Sequence, residues 1–219
     1  MTINGQQVEC VDKFKYLGVL ISNTLKWDEQ FSCVLTKLQR LHFLFKKSHY
    51  YFEKKSMLLF VNGLFLSVID YCLPIWGCVG TQFLTKTDKL LERILQTIFN
   101  GEGLQDFHSL LERANMLATS ERMFFQSLNF IFKHVILESP LSTELRQLYE
   151  HKQGRSSLRS GNDFQVPNYT NLGRQSMHYR TCKDWNSLPL DVKACNKALI
   201  FYLKIRSVII KKRCDIYVT

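Results

Sequence analysis

The hydrophobic period of this chain changes at Trp27. Before it, apolar residues alternate or fall in short runs. After it they recur every three or four residues, as Phe31, Val34, Leu35, Leu38, Leu41 and Phe45 do. The first pattern is that of a strand and the second that of a helix with one apolar face. A chain written this way is expected to be mainly α, with a small N-terminal antiparallel β-hairpin, a helical bundle and a basic C-terminal segment.

The junction is the stretch FKYLGVLISNTLKW, Phe14 to Trp27. Alternation predicts a strand from Tyr16 to Ile21, with Tyr16, Gly18 and Leu20 on one face and Leu17, Val19 and Ile21 on the other. Gly18 then lies inside the strand, where glycine marks a bulge or the close approach of another backbone. Upstream, Asn4-Gly5 is a hairpin-turn dipeptide. Downstream, the helix that begins at Asp28 is followed by three further helical stretches. These run from Glu53 to Cys72, apolar nearly all round and hence expected to be buried, from Gln82 to Phe99, stopped by Asn100-Gly101, and from Phe107 to Ala114. Ser120 to Leu137 is the next helix, closed by Pro140, and 141–150 is expected to add another.

From His151 to Leu172 the composition turns polar and is set with Gly and Pro, which predicts a linker or extended arm. Order is expected to return over Ser176 to Trp185 and in a terminal helix from Lys197 to Lys212. The expected organisation is a hairpin over 1–27, a helical domain over 28–150, a linker over 151–172 and a basic segment over 173–219.

Apolar content of 46% suffices for a real core, and the 29 basic against 19 acidic residues favour a polyanionic partner. The excess is concentrated: residues 151–219 hold 13 basic and 4 acidic side chains. Seven cysteines, an odd number without a C-x-x-C pair, predict free thiols in a reducing compartment. With no apolar leader at the N-terminus, the expected location is intracellular, cytoplasmic or nuclear. The run from Met57 to Val79 is interrupted by Asn62 and Asp70 and ended by Pro74, so no membrane span is expected.

Catalytic patterns are sparse. The one adjacent acidic pair, Asp28-Glu29, sits at a helix start, where such charges favour the helix dipole. No glycine-rich phosphate loop, G-x-S-x-G or H-E-x-x-H is present, and no histidine pair has metal-ligand spacing, so neither enzymatic activity nor a cofactor or metal is expected. Two basic sets remain. Lys37, Arg40, Lys46 and Lys47 fall on the helix from Asp28, where contact with a phosphate backbone and a merely solvated face are equally open. The second set includes Arg174, Arg180, Lys211, Lys212 and Arg213, with Tyr169, Tyr179 and Trp185 interleaved as stacking surfaces.

Three phrases carry a family resemblance. FKYLGVLISNTLKW followed by a long helix resembles the end of the palm and start of the thumb in reverse transcriptases of non-LTR, LINE-type retrotransposons. IDYCLPIWG, residues 69–77, is similar to a later helix end of that family. RTCKDWNSLPLDVK, residues 180–193, is similar to its trailing segment before a final basic helix. The resemblance implies that Tyr16, Leu17 and Gly18 form a primer grip and that the helix bearing Lys37, Arg40, Lys46 and Lys47 is thumb. The implied partner is RNA or an RNA–DNA duplex. The family's aromatic-x-Asp-Asp turn should precede the grip and is not found, which implies a non-catalytic remnant whose palm is supplied elsewhere. One alternative is a protein-interaction remnant with an exposed apolar patch near the N-terminal strands. The strand and first helix also resemble a short segment found ahead of an alkylated-DNA-repair dioxygenase homologue, although no H-x-D or H-x-E iron site can be assembled here.

Overall fold

Two short antiparallel ribbons open the chain. The computed structural model describes residues 2–3, 6–7, 9–77, 81–103, 106–137, 147–149, 163–170 and 173–217. β1 (Thr2–Ile3) pairs with β2 (Gln6–Gln7), and β3 (Lys13–Tyr16) pairs with β4 (Val19–Ser22), Tyr16 opposite Val19. The rest is mainly helical, as the change of period predicts. No helix among the described residues is long and apolar enough to cross a membrane.

The second ribbon corrects the expected single strand from Tyr16 to Ile21. Leu17 (φ 44°) and Gly18 (φ 84°) are both left-handed and form the two-residue turn between β3 and β4. Turns with two positive φ values match the twist of a hairpin, and glycine takes such a φ without penalty. Leucine does not, at a cost of about 1–2 kcal/mol. An alternation pattern has no means of anticipating a leucine in that position.

The chain divides into two compact units, Met1–Thr119 and Ser120–Thr219, so the boundary lies well before the expected linker at 151–172. In the first unit, α1 (Asp28–Ser48) has Asp28 and Glu29 in its first turn and Lys46 and Lys47 in its last, the arrangement the helix dipole favours. Its buried face carries Val34, Leu38 and Phe45. α2 (Lys54–Phe60) runs through a π-helical stretch (Val61–Leu66) into α3 (Ser67–Asp70). This rod is not buried all round: Leu59, Phe60 and Leu64 are exposed, while Met57, Val61, Phe65 and Ile69 are buried. The wider π turn resets the helical phase midway, so a single 3.6-residue wheel misplaces its faces. α4 (Leu73–Trp76) follows through Cys72, itself left-handed at φ 55°. α5 (Thr81–Ile98) packs on α1, and α6 (Phe107–Ala114) is capped by the Asp106 carboxylate, which accepts from the Ser109 N–H at 3.0 Å.

In the second unit, α7 (Thr119–Ile131, beginning at the boundary) runs into a π-helical stretch (Phe132–Ile136). A 3-10 turn (Gly173–Gln175) leads to α8 (Met177–Asn186), α9 (Leu190–Lys193) and α10 (Ala198–Tyr217). Its core is aromatic, with Phe132 stacked on Phe201 at 3.8 Å and Trp185 5.8 Å from Phe201. Most of the expected helix over 141–150 and most of the expected linker lie outside the described residues. The part of the linker that is described does not hang free, since Asp163 and Phe164 are buried. Asn186 holds Phe164 at both ends of its peptide unit: its Oδ1 accepts from the Phe164 N–H at 2.9 Å and its Nδ2 donates to the Phe164 carbonyl at 2.8 Å. Lys193 donates to the Asp163 carboxylate at 2.7 Å and to the Asn186 carbonyl at 3.0 Å, its side chain only 3% exposed. The W-N-x-L-P phrase is thus the clamp on residues 163–164.

Gly18→Ala tests the turn. A Cβ at Gly18 would stand 3.6 Å from Tyr71 Cε1, an ordinary contact, so the penalty comes from the φ of 84° alone. Chemical denaturation should register a loss of about 1 kcal/mol.

Candidate nucleic-acid interface

The hairpin tip is fixed from two directions. The Leu20 N–H donates to Oε1 of Gln30, a buried residue of α1, at 2.9 Å. The Tyr71 hydroxyl donates to the Leu17 carbonyl, with its ring against Gly18. Tyr71 is held in turn, because the Trp76 indole N–H donates to its carbonyl at 2.7 Å. Trp76 packs edge-on to Phe83 at 5.2 Å, and Phe83 to Phe31 at 4.3 Å. The FKYLG and IDYCLPIWG phrases therefore meet in space. What they present outward is Tyr16, 58% exposed, and Leu17, 71% exposed.

Lys37, Arg40, Lys46 and Lys47 are all exposed on α1, but they do not share one surface. At about 100° per residue, Arg40 and Lys47 lie on one line opposite the buried face, with Lys37 toward one side. Lys47 stands over the exposed Phe43 ring at 4.6 Å. Among the described residues no carboxylate pairs with Lys37, Arg40 or Lys47. Lys46 turns instead toward α5, where with His42, His49, Arg93, Gln96 and Asn100 it lines a cleft of 520 Å³. An adjoining hollow of 310 Å³ shares Arg93 and adds Lys86 and Lys89. Among the described residues neither is lined by an acid.

The electrostatics of the cleft register on His42. Burial lowers its pKa first, and the nearby charges of Arg93 and Lys46 lower it further. His49 is oriented, its Nδ1–H donating to the Lys46 carbonyl at 2.8 Å.

In the second unit the basic set separates. Arg174 is exposed and donates to the Tyr169 carbonyl at 3.2 Å, while Lys211 and Lys212 are exposed on α10, Lys212 over Phe124 at 5.5 Å. Arg180 is half-buried, its guanidinium 3.1 Å from Met123 Sδ. Arg213 corrects the expectation: it is 5% exposed and forked onto the Glu121 carboxylate, so its charge serves the interior. Trp185 is likewise fully buried and offers no stacking face. Asp184 lies among Arg180, Lys183 and Lys212, yet its burial outweighs them and raises its carboxyl to about 6.

Periodicity on α1 did not reveal Lys86, Lys89 and Arg93. Their signal was spacing: they follow one line of α5 at i, i+3 and i+7, from which Asp88 and Glu92 are rotated away. The Asp88 carboxylate is engaged instead by the N–H and hydroxyl of Thr119 at 2.9 and 2.6 Å. Among the described residues no group of three His, Cys, Asp or Glu side chains can hold a metal ion. Compared with known proteins, the chain matches no family model, no curated protein and no solved structure.

Two titrations follow. His42 followed by NMR should protonate below 6.5, and Arg93→Ala should move its pKa upward by relieving the repulsion of the imidazolium. For Asp184, a carboxyl raised from 3.8 to about 6 binds its proton more tightly when folded. Its contribution is thus fully present below pH 3.8 and lost as pH rises through 6. Asp184→Asn should flatten that slope and raise stability at pH 7.5 by roughly 1–2 kcal/mol.

Proposed function

We propose that the chain is the primer-grip and thumb region of a LINE-type reverse transcriptase, and that its first unit holds RNA or an RNA–DNA duplex by the phosphate backbone. The observation that carries this reading is the bond from the Tyr71 hydroxyl to the Leu17 carbonyl. It joins two phrases that separately resemble that family and sets an exposed Tyr16-Leu17 tip ahead of a helix whose Lys37, Arg40 and Lys47 lack acidic partners among the described residues. Cations on a rigid helix beside an exposed aromatic suit a sugar–phosphate surface, since charge supplies affinity and the ring an apolar contact. Arg174, Lys211 and Lys212 would add to the attraction from the second unit. In this reading the polymerising carboxylates belong to a palm supplied elsewhere, and this chain positions nucleic acid without acting on it.

A second reading rests on the apolar surface. All four residues of β3 are exposed, Phe14 and Tyr16 among them, and Leu17, Tyr71 and Ile75 are exposed as well. Exposed apolar side chains gathered on the hairpin and on the segment bonded to its tip support a protein partner there.

Binding of a short RNA–DNA duplex across a salt series separates the two. Backbone-driven binding should weaken with a log–log slope of roughly −0.7 to −0.9 per phosphate neutralised. Lys37→Glu with Arg40→Glu should lower affinity about tenfold or more and flatten the slope by about two phosphates. A slope near zero, with self-association relieved by Phe14→Ser and Leu17→Ser, would favour the protein partner.

A further inference from the structure

We infer that the cleft between α1 and α5 is a binding site for phosphate groups linked in series. It stands apart from the duplex reading, because its residues lie on a different flank of α1 from Arg40 and Lys47. Each cleft wall is a long helix, 21 residues in α1 and 18 in α5, and they run parallel: Phe31 meets Phe83 near their starts, while His49 and Asn100 line the cleft at their far ends. Among the described residues every side chain lining the larger hollow can form hydrogen bonds, and none is a carboxylate. That chemistry selects an anion and rejects an apolar ligand.

The choice of phosphate follows from the cations. Lys46 on one wall and Arg93 on the other both depress the pKa of His42, so both charges act on the same space. No carboxylate among the described residues pairs with either. Like charges held across a cleft by rigid helices are relieved by an anion between them, and a guanidinium fork with an ammonium suits a tetrahedral oxyanion. A single phosphate does not fill 520 Å³, and the cationic line continues through Arg93 to Lys89 and Lys86 in the adjoining hollow. From Leu35 to His49 the α1 wall spans about 21 Å, room for several phosphates in a row. The same chemistry is offered by free polyphosphate and by a single nucleic-acid strand.

Calorimetric titration of the full chain with tripolyphosphate at fixed ionic strength tests this, with sulfate as the control anion. Tripolyphosphate should bind saturably and far more tightly than sulfate. Lys46→Ala with Arg93→Ala should weaken it at least tenfold, whereas Lys37→Ala with Arg40→Ala should change it less than twofold. Gln96→Glu places a carboxylate at an exposed cleft position and should weaken binding with the circular dichroism spectrum unchanged, which keeps the test valid if the double variant misfolds. Competition by single-stranded RNA would identify a nucleic-acid strand as the occupant, and its absence free polyphosphate. Binding no tighter than sulfate, binding that survives Gln96→Glu, or loss in the Lys37/Arg40 variant alone would overturn the site. If the unsubstituted chain binds tripolyphosphate but no RNA–DNA duplex, that counts against the duplex reading only.

Discussion

Phe83 touches two rings at once, Phe31 of α1 and Trp76 of α4, and much of the first unit is arranged around that contact. Phe83 meets Phe31 near the starts of α1 and α5, whose parallel course leaves the cleft between them. Through Trp76 it fixes the end of the α2–α4 segment, whose indole N–H holds the Tyr71 carbonyl while the Tyr71 hydroxyl holds the hairpin tip. Edge-to-face rings contribute about 0.5–1.5 kcal/mol beyond their burial, but the geometric effect is larger than the energetic one. The two candidate surfaces of the unit, the hairpin tip and the cleft, are displaced together if Phe83 moves.

The helices were legible where burial follows one period. α1 begins at Asp28 and α6 runs from Phe107 to Ala114, as apolar spacing predicts, and Asp28 and Glu29 stand in the first turn of α1. Legibility failed where local geometry departs from its usual residue. Leu17 and Cys72 occupy left-handed conformations that their side chains disfavour, and each is held by a partner distant in sequence or by the turn that follows it. The π-helical stretch at 61–66 also escaped notice, because a change of helical pitch leaves composition untouched.

Charge was the least legible property, because a formula count does not say which cations face water. Arg213 and Lys193 belong to the basic C-terminal third yet bury their charges against Glu121 and Asp163. Pairs of this kind are weak sources of net stability, but losing one partner is costly because the other charge remains buried. Conversely, α5 carries both signs of charge, with Asp88 and Glu92 set among Lys86, Lys89 and Arg93. Spacing puts the three cations on one line of α5, but their grouping with Lys46 belongs to two helices and is not written in either one alone.

The parallel course of α1 and α5 also bears on how the first unit assembles. Parallel neighbours cannot be joined by a tight turn, and here the intervening chain includes all of α2, α3 and α4. Phe31 and Phe83 meet only after a loop of about 50 residues has closed, an entropic cost met before their contact contributes anything. Helix pairs joined by short turns can form locally and early; this pair cannot. The aromatic contact between the two helices therefore carries a larger loop-closure cost than a contact between helices joined by a short turn, and the cleft carries that cost with it.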